Sequence, residues 1–217
     1  MMLLELKRIY IPPGQTVVLR DVTWQELETI LEELGEHRAA RIAYDRGMLE
    51  IMAPLPEHEY GKEIISDLLK ALLEELDTEF ISLGSTTFKN QFMAQGIEPD
   101  QCFYIKNEPQ IRGKNRLDLT IDPPPDLALE IDITSRTHPK IYQSLQVPEL
   151  WRFEKGNLQI NVLQDGIYIE SETSLIFPNL PLIDVIPQYL EQSKIIGRNT
   201  TIKNFRIWVR QQLIGGS

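Results

Sequence analysis

Between Leu127 and Ile133 the chain reads Leu-Ala-Leu-Glu-Ile-Asp-Ile, an alternation that only a β-strand can use. Residues two apart share a strand face, so Glu130 and Asp132 project together from a segment otherwise rich in Leu and Ile. Two like charges side by side are costly to bury unless a cation or a proton sits between them. The alternative is a strand end at which both acids simply face water. A further carboxylate, Asp100, follows Pro99 at the start of another strand-like run, Gln101–Ile105, and a neighbouring strand could bring it to the same place. Hard oxygen ligands of this kind suit Mg²⁺ or Mn²⁺ rather than zinc.

The rest of the sequence is mixed α/β. Thr23-Trp24-Gln25-Glu26 has the form of a capping box, and Trp24, Leu27, Ile30 and Leu31 follow at helical spacing up to Gly35. Two short strands, Ala40–Tyr44 and Met48–Met52, flank Asp45-Arg46-Gly47 as a hairpin. Pro54 and Pro56 precede a long helix from about His58 to Leu76. Its stripe of Ile64, Ile65, Leu68, Leu69, Leu72, Leu73 and Leu76 predicts one buried face. Strands are expected at Phe80–Leu83, Thr86–Asn90, Glu149–Phe153, Leu158–Leu163 and Ile167–Ser171, and helices at about His138–Leu145, Pro181–Leu190 and Thr201–Leu213. Residues 1–15 look peripheral. The length of 217 residues, without repeats or a linker-like stretch, predicts one domain over 1–217, with a core at about 17–190 and a basic C-terminal helix in 194–217.

Charge narrows the partners. The net formal charge is −10, yet no Asp or Glu follows Glu191, while Lys194, Arg198, Lys203, Arg206 and Arg210 give that tail +5. Tight non-specific DNA binding by charge alone is disfavoured, but a local basic patch is compatible with the sum. Lys203, Arg206 and Arg210 share a helical face that would meet nucleic acid or an acidic partner. The lone Cys102 cannot close an intrachain bridge and reads as an inert core thiol. Without a signal-peptide core or an apolar membrane span, a soluble cytoplasmic protein is expected. There is no Gly-rich phosphate loop, no zinc-ligand spacing and no serine triad.

Five short runs occur in a suggestive order: Thr23-Trp24-Gln25-Glu26, Gly47-Met48-Leu49-Glu50-Ile51-Met52-Ala53-Pro54, Pro99-Asp100, Pro125-Asp126-Leu127-Ala128-Leu129-Glu130-Ile131 and Val147-Pro148-Glu149-Leu150-Trp151. Together they resemble the Uma-type restriction-endonuclease family, formerly a domain of unknown function and abundant in cyanobacteria. That family is similar in turn to the PD-(D/E)XK nuclease superfamily. The resemblance spans roughly residues 17–190. It implies a restriction-endonuclease-like α/β fold: a mixed central β-sheet flanked by helices, with an N-terminal helix-hairpin and a C-terminal helix. It also implies that Asp100 and Glu130, with the backbone carbonyl of Ile131, hold a divalent cation. The pattern breaks at the next position, where the superfamily has lysine and this chain has Asp132.

On that reading the chain is a Mg²⁺- or Mn²⁺-dependent endonuclease hydrolysing DNA phosphodiester bonds. Asp100, Glu130 and Asp132 are its metal ligands, and Lys140 replaces the missing cation from the following helix. Glu63 and His58 are outer-shell candidates, with a solvated face and a helix cap as their plainer roles. His138 lies near the expected helix lysine, its role open. Arg136 and Lys114 are candidate phosphate contacts, and a homodimer is expected. The competing readings are an inactive nuclease-fold module that binds nucleic acid or a protein partner, and a homodimeric interaction protein.

Overall fold

A computed structural model describes residues 9–35, 40–84, 86–132 and 138–215. Its eleven strands form two sheets. The smaller contains β1 (Thr16–Leu19), β2 (Arg41–Asp45), β3 (Met48–Met52), β5 (Phe88–Asn90) and β6 (Gln95–Ile97), in the order β1-β3-β2-β6-β5. The larger contains β4 (Ile81–Leu83), β7 (Gln101–Tyr104), β8 (Leu127–Ile131), β9 (Glu149–Glu154), β10 (Asn157–Gln164) and β11 (Ile167–Ser171), in the order β11-β10-β9-β8-β7-β4. All pairings are antiparallel except β8 with β9, so the larger sheet is mixed. The expected helix-hairpin is present, and its hairpin belongs to a sheet of its own. β1 and β6 lie outside the strands expected from the sequence.

The helices are α1 (Trp24–Leu34), α2 (Pro56–Glu75), α3 (Glu108–Ile111), α4 (Pro139–Ser144), α5 (Leu182–Ile196) and α6 (Arg198–Gly215). None is long and apolar enough, among the described residues, to cross a membrane. The capping box forms as read: Glu26 N donates to Thr23 Oγ1 at 3.2 Å, and Thr23 N donates to the Glu26 carboxylate at 2.8 Å. α1 then lays Leu27, Ile30, Leu31 and Leu34 on Ile42, Tyr44, Leu49 and Ile51 of the smaller sheet. Arg46 and Gly47 both have positive φ, 47° and 96°, as a two-residue turn between twisted strands requires.

Alternation along β8 divides the larger sheet's two faces. Leu127, Leu129 and Ile131 join Trp151 and Phe153 of β9 beneath α2, α5 and α6. There Ile64, Ile65, Leu68, Leu69, Leu72 and Leu73 of α2 are almost completely buried. Each such side chain contributes about 1.5–3 kcal/mol relative to exposure, so this layer is the main source of stability. Ala128 and Leu150 face the other way, with Cys102 and Tyr104, toward α4 and toward Phe88 and Ile97 of the smaller sheet. Glu130 alternates onto this second face, and the space beside it lies between the sheets.

Candidate active site

The chain crosses from the smaller sheet to the larger at Glu98-Pro99-Asp100, between β6 and β7. That crossing is what sets Asp100 between the sheets. β7 pairs with β8 in the register Gln101↔Leu129, and one further step brings Asp100 opposite Glu130. Asp100 is 2% exposed. Its Oδ2 accepts from Ile131 N at 2.8 Å and bonds His58 Nε2 at 2.9 Å, while Arg41 Nε lies 3.5 Å from Oδ1.

Glu130 meets three influences. Burial, the charges of Asp100 and Asp132, and a hydrogen bond shared with Asp100 all raise its pKa well above the usual carboxylate range. A hydrogen bond from the Tyr142 hydroxyl, on α4, opposes them and does not win. Without a cation, these surroundings favour the protonated form of Glu130. Two inward-facing carboxyls that repel each other fit a divalent cation, whose charge would favour the ionised form of Glu130. Among the described residues no group of three His, Cys, Asp or Glu forms a preassembled metal cage. Asp100 and Glu130 are the carboxylates that could hold a cation here, with backbone oxygen or water completing the shell.

Asp132 shares this side of the strand but is strongly engaged elsewhere. Arg152, the in-register partner of Glu130 on β9, clasps Asp132 Oδ2 through Nε at 2.9 Å and a terminal nitrogen at 2.5 Å. The cation that a lysine at position 132 would provide thus stands one strand away, held by an acid.

A polar seam on α2 backs the site. His58 is 2% exposed. Burial pulls its pKa down, but the hydrogen bonds and charges of Asp100 and Glu59 outweigh burial and lift it to about 9. The same bond to His58, with Lys62 and Arg41, lowers Glu59 to about 2. Lys62 pairs with Glu59, and Arg41 reaches the same carboxylate at 3.2 Å. Glu63 is 62% exposed and 3.6 Å from Lys62, so Glu59 is the acid that stands beside His58.

A cleft of about 50 Å³ opens onto this cluster, with room for a few waters. Arg41, Glu50, Glu98, Asp100, Glu130, Asp132 and His138 supply its polar lining. Arg41 Nε is buried there with no hydrogen-bond partner. Glu98 is turned to Ile42 N and the Thr87 hydroxyl. His138 Nε2 bonds Glu50 Oε2 at 2.8 Å.

The other sequence candidates lie apart. Lys140 is exposed and two residues before Tyr142, about 200° around the helix from the side chain that reaches Glu130. Lys114 pairs with Asp122, and Arg112 clasps Glu108 with two bonds of 2.7 Å. Arg136 lies outside the described residues. The basic face of α6 folds onto α2: Arg206 pairs with Glu74 and Glu75, Arg210 with Glu75, and Arg198 with Asp67. Sequence reading missed Arg41, Glu50 and Glu59. Glu50 sits inside the quoted Gly47–Pro54 run, but nothing local marks it as facing a site that a second sheet completes.

The chain matches, over residues 24–192, the family model named Uma2 and described as "Putative restriction endonuclease". Among solved structures it is similar to a protein from Anabaena variabilis described as "a putative nuclease belonging to DUF820". The two share 13% identity and a TM-score of 0.51, covering 78% of this chain and 99% of that one, a likeness of fold. No curated protein matches the sequence.

Proposed function

The chain belongs to the Uma2 family, and on that premise we propose that it hydrolyses DNA phosphodiester bonds with a divalent cation held by Asp100 and Glu130. The observation that carries the reading is the convergence of these carboxyls in one cleft, where burial and the charge of Asp100 raise the pKa of Glu130. A divalent cation there would offset charge on the scissile phosphate and acidify a bound water. Arg41 supports the reading too: its Nε makes no hydrogen bond and lies 3.5 Å from Asp100 Oδ1, within reach of a phosphate oxygen bound at the cleft. His58 and Ile131 N hold Asp100 in one orientation where it lines the cleft.

The test is cleavage of plasmid and oligonucleotide DNA with Mg²⁺, Mn²⁺ or EDTA, alongside thermal melting with the same additions. Cleavage and a cation-dependent rise in Tm, both lost in Glu130→Gln, are expected. Absence of both effects in the wild type would remove the proposal.

One observation favours a second reading, an inactive nuclease fold that binds DNA. Asp132 occupies the superfamily's lysine position and is locked to Arg152. That reading expects DNA binding that survives Asp100→Ala with Glu130→Ala, and no cleavage under any condition.

A further inference from the structure

From the geometry of the cleft we infer that His138, oriented by Glu50, is the proton acceptor for the attacking water. This deepens the proposed function and rests on it. Lys140 turns away, Lys62 is committed to Glu59, and Arg152 is committed to Asp132. Arginine in any case stays protonated and is a poor base. Of the groups lining the cleft, Glu98 is occupied by Ile42 N and Thr87, while Asp100 and Glu130 face each other. That leaves the His138–Glu50 pair, 2.8 Å apart, with side chains 38% and 24% exposed at the cleft.

The pairing decides the tautomer. A neutral imidazole that donates Nε2–H to a carboxylate keeps its lone pair on Nδ1. Glu50 thereby does for His138 what the buried acid of a catalytic triad does for its histidine: it fixes ring orientation and supports the cation that forms. The two residues come from different sheets' surroundings, Glu50 from β3 and His138 from the start of α4, so the pair exists only when the smaller sheet is docked. In the reaction Nδ1 takes one proton from water as its oxygen attacks phosphorus. The P–O bond to the leaving oxygen breaks with its electron pair, and that oxygen is protonated by solvent water. The charged groups around the pair are Arg41 on β2, Glu98 and Asp100 at the sheet crossing, and Glu130 and Asp132 at the end of β8.

The test compares wild type, His138→Ala, His138→Gln and Glu50→Gln in single-turnover DNA cleavage across pH, with Glu130→Gln as control. General-base catalysis contributes about 10²- to 10⁴-fold. His138→Ala and His138→Gln should therefore lose at least about a hundredfold and lose the acid limb of the rate profile, with cation-induced Tm shifts unchanged. Added imidazole should restore part of the rate to His138→Ala. Glu50→Gln should lose less, and nitrogen NMR of the His138 ring should change from one Nε2–H tautomer to a mixture. If wild type cleaves, Glu130→Gln does not, and His138→Ala matches wild type with the same acid limb, the inference is wrong and the proposed function stands. If wild type neither cleaves nor gains Tm with a cation, the proposed function falls and the inference falls with it.

Discussion

At the start of α2, His58, Glu59 and Lys62 crowd against Asp100 and Arg41 in a region nearly closed to water. At its end, Glu74 and Glu75 meet Arg206 and Arg210 of α6 at the surface. Both ends set acids against bases, but the balance differs. At the far end every named acid faces an arginine. At the near end Glu50, Glu98, Asp100, Glu130 and Asp132 line the cleft with Arg41 as the only lysine or arginine among its lining residues. Surface pairs of the first kind contribute a few tenths of a kcal/mol each and tie helices together. This local excess of acids is partly offset by His58, Lys62 and Arg152, and it leaves Glu130 with a hydroxyl partner and a raised pKa.

The largest effect should follow from cutting that surplus. Glu130→Gln removes a ligand and a like charge at once, so cleavage should fall by more than about a hundredfold, beyond the loss typical of outer-shell changes. The cation-free protein should meanwhile melt at a higher temperature than wild type. Lower stability of the cation-free variant would show instead that the Tyr142 hydrogen bond outweighs the repulsion.

His58 ranks next, because it orients Asp100 rather than binding the ion. His58→Gln should cost about 10- to 100-fold in activity or cation affinity. It should also change the pH dependence of stability. The folded pKa, about 9, lies above the unfolded value of 6.5, so the imidazolium contribution is complete below about 6.5 and is lost as pH rises through 9. Wild type should therefore lose Tm relative to His58→Gln between pH 7 and about 10, and parallel melting curves over that range would count against the ion pair.

The fold was largely legible because long apolar periods do not depend on distant partners. The stripe on α2, the alternation of β8 and the Thr23 cap all form as their patterns imply. Asp100 and Glu130 could be singled out because a carboxylate in an apolar strand context is conspicuous in one dimension. Arg41, Glu50 and Glu59 were not, since they are ordinary surface-type residues whose meaning arises when the smaller sheet docks beside β8. The α6 bases show the same limit: the sequence leaves nucleic acid or an acidic partner open, and it takes the fold to bring Arg206 against acids of α2 some 130 positions earlier.

Reversing that seam sharpens the contrast between the two ends. Arg206→Glu with Arg210→Glu should lower the Tm, from lost exposed pairs and new like-charge contacts. Cleavage per folded molecule and DNA affinity should not change. A drop in DNA affinity without a drop in Tm would return α6 to the list of DNA contacts.

The smallest effect tests whether the seam is electrostatic at all. The Arg210 hydrogen bonds, followed by those of Arg206, hold Glu75 at a pKa of about 2 against 4.5 for an ordinary glutamate. A lowered folded pKa stabilises above the unfolded value, and the benefit drains away as pH falls through the folded one. Wild type should thus exceed Glu75→Gln by under about 1 kcal/mol at pH 7, given how exposed the arginines are. The gap should narrow from pH 4.5 downward and close near pH 2. Urea melts of both proteins at a few pH values would measure it, with added salt shrinking the same gap at neutral pH. A gap independent of both pH and salt would mean that the aliphatic stems of Arg206 and Arg210, packed along α2, supply what the charges appear to supply.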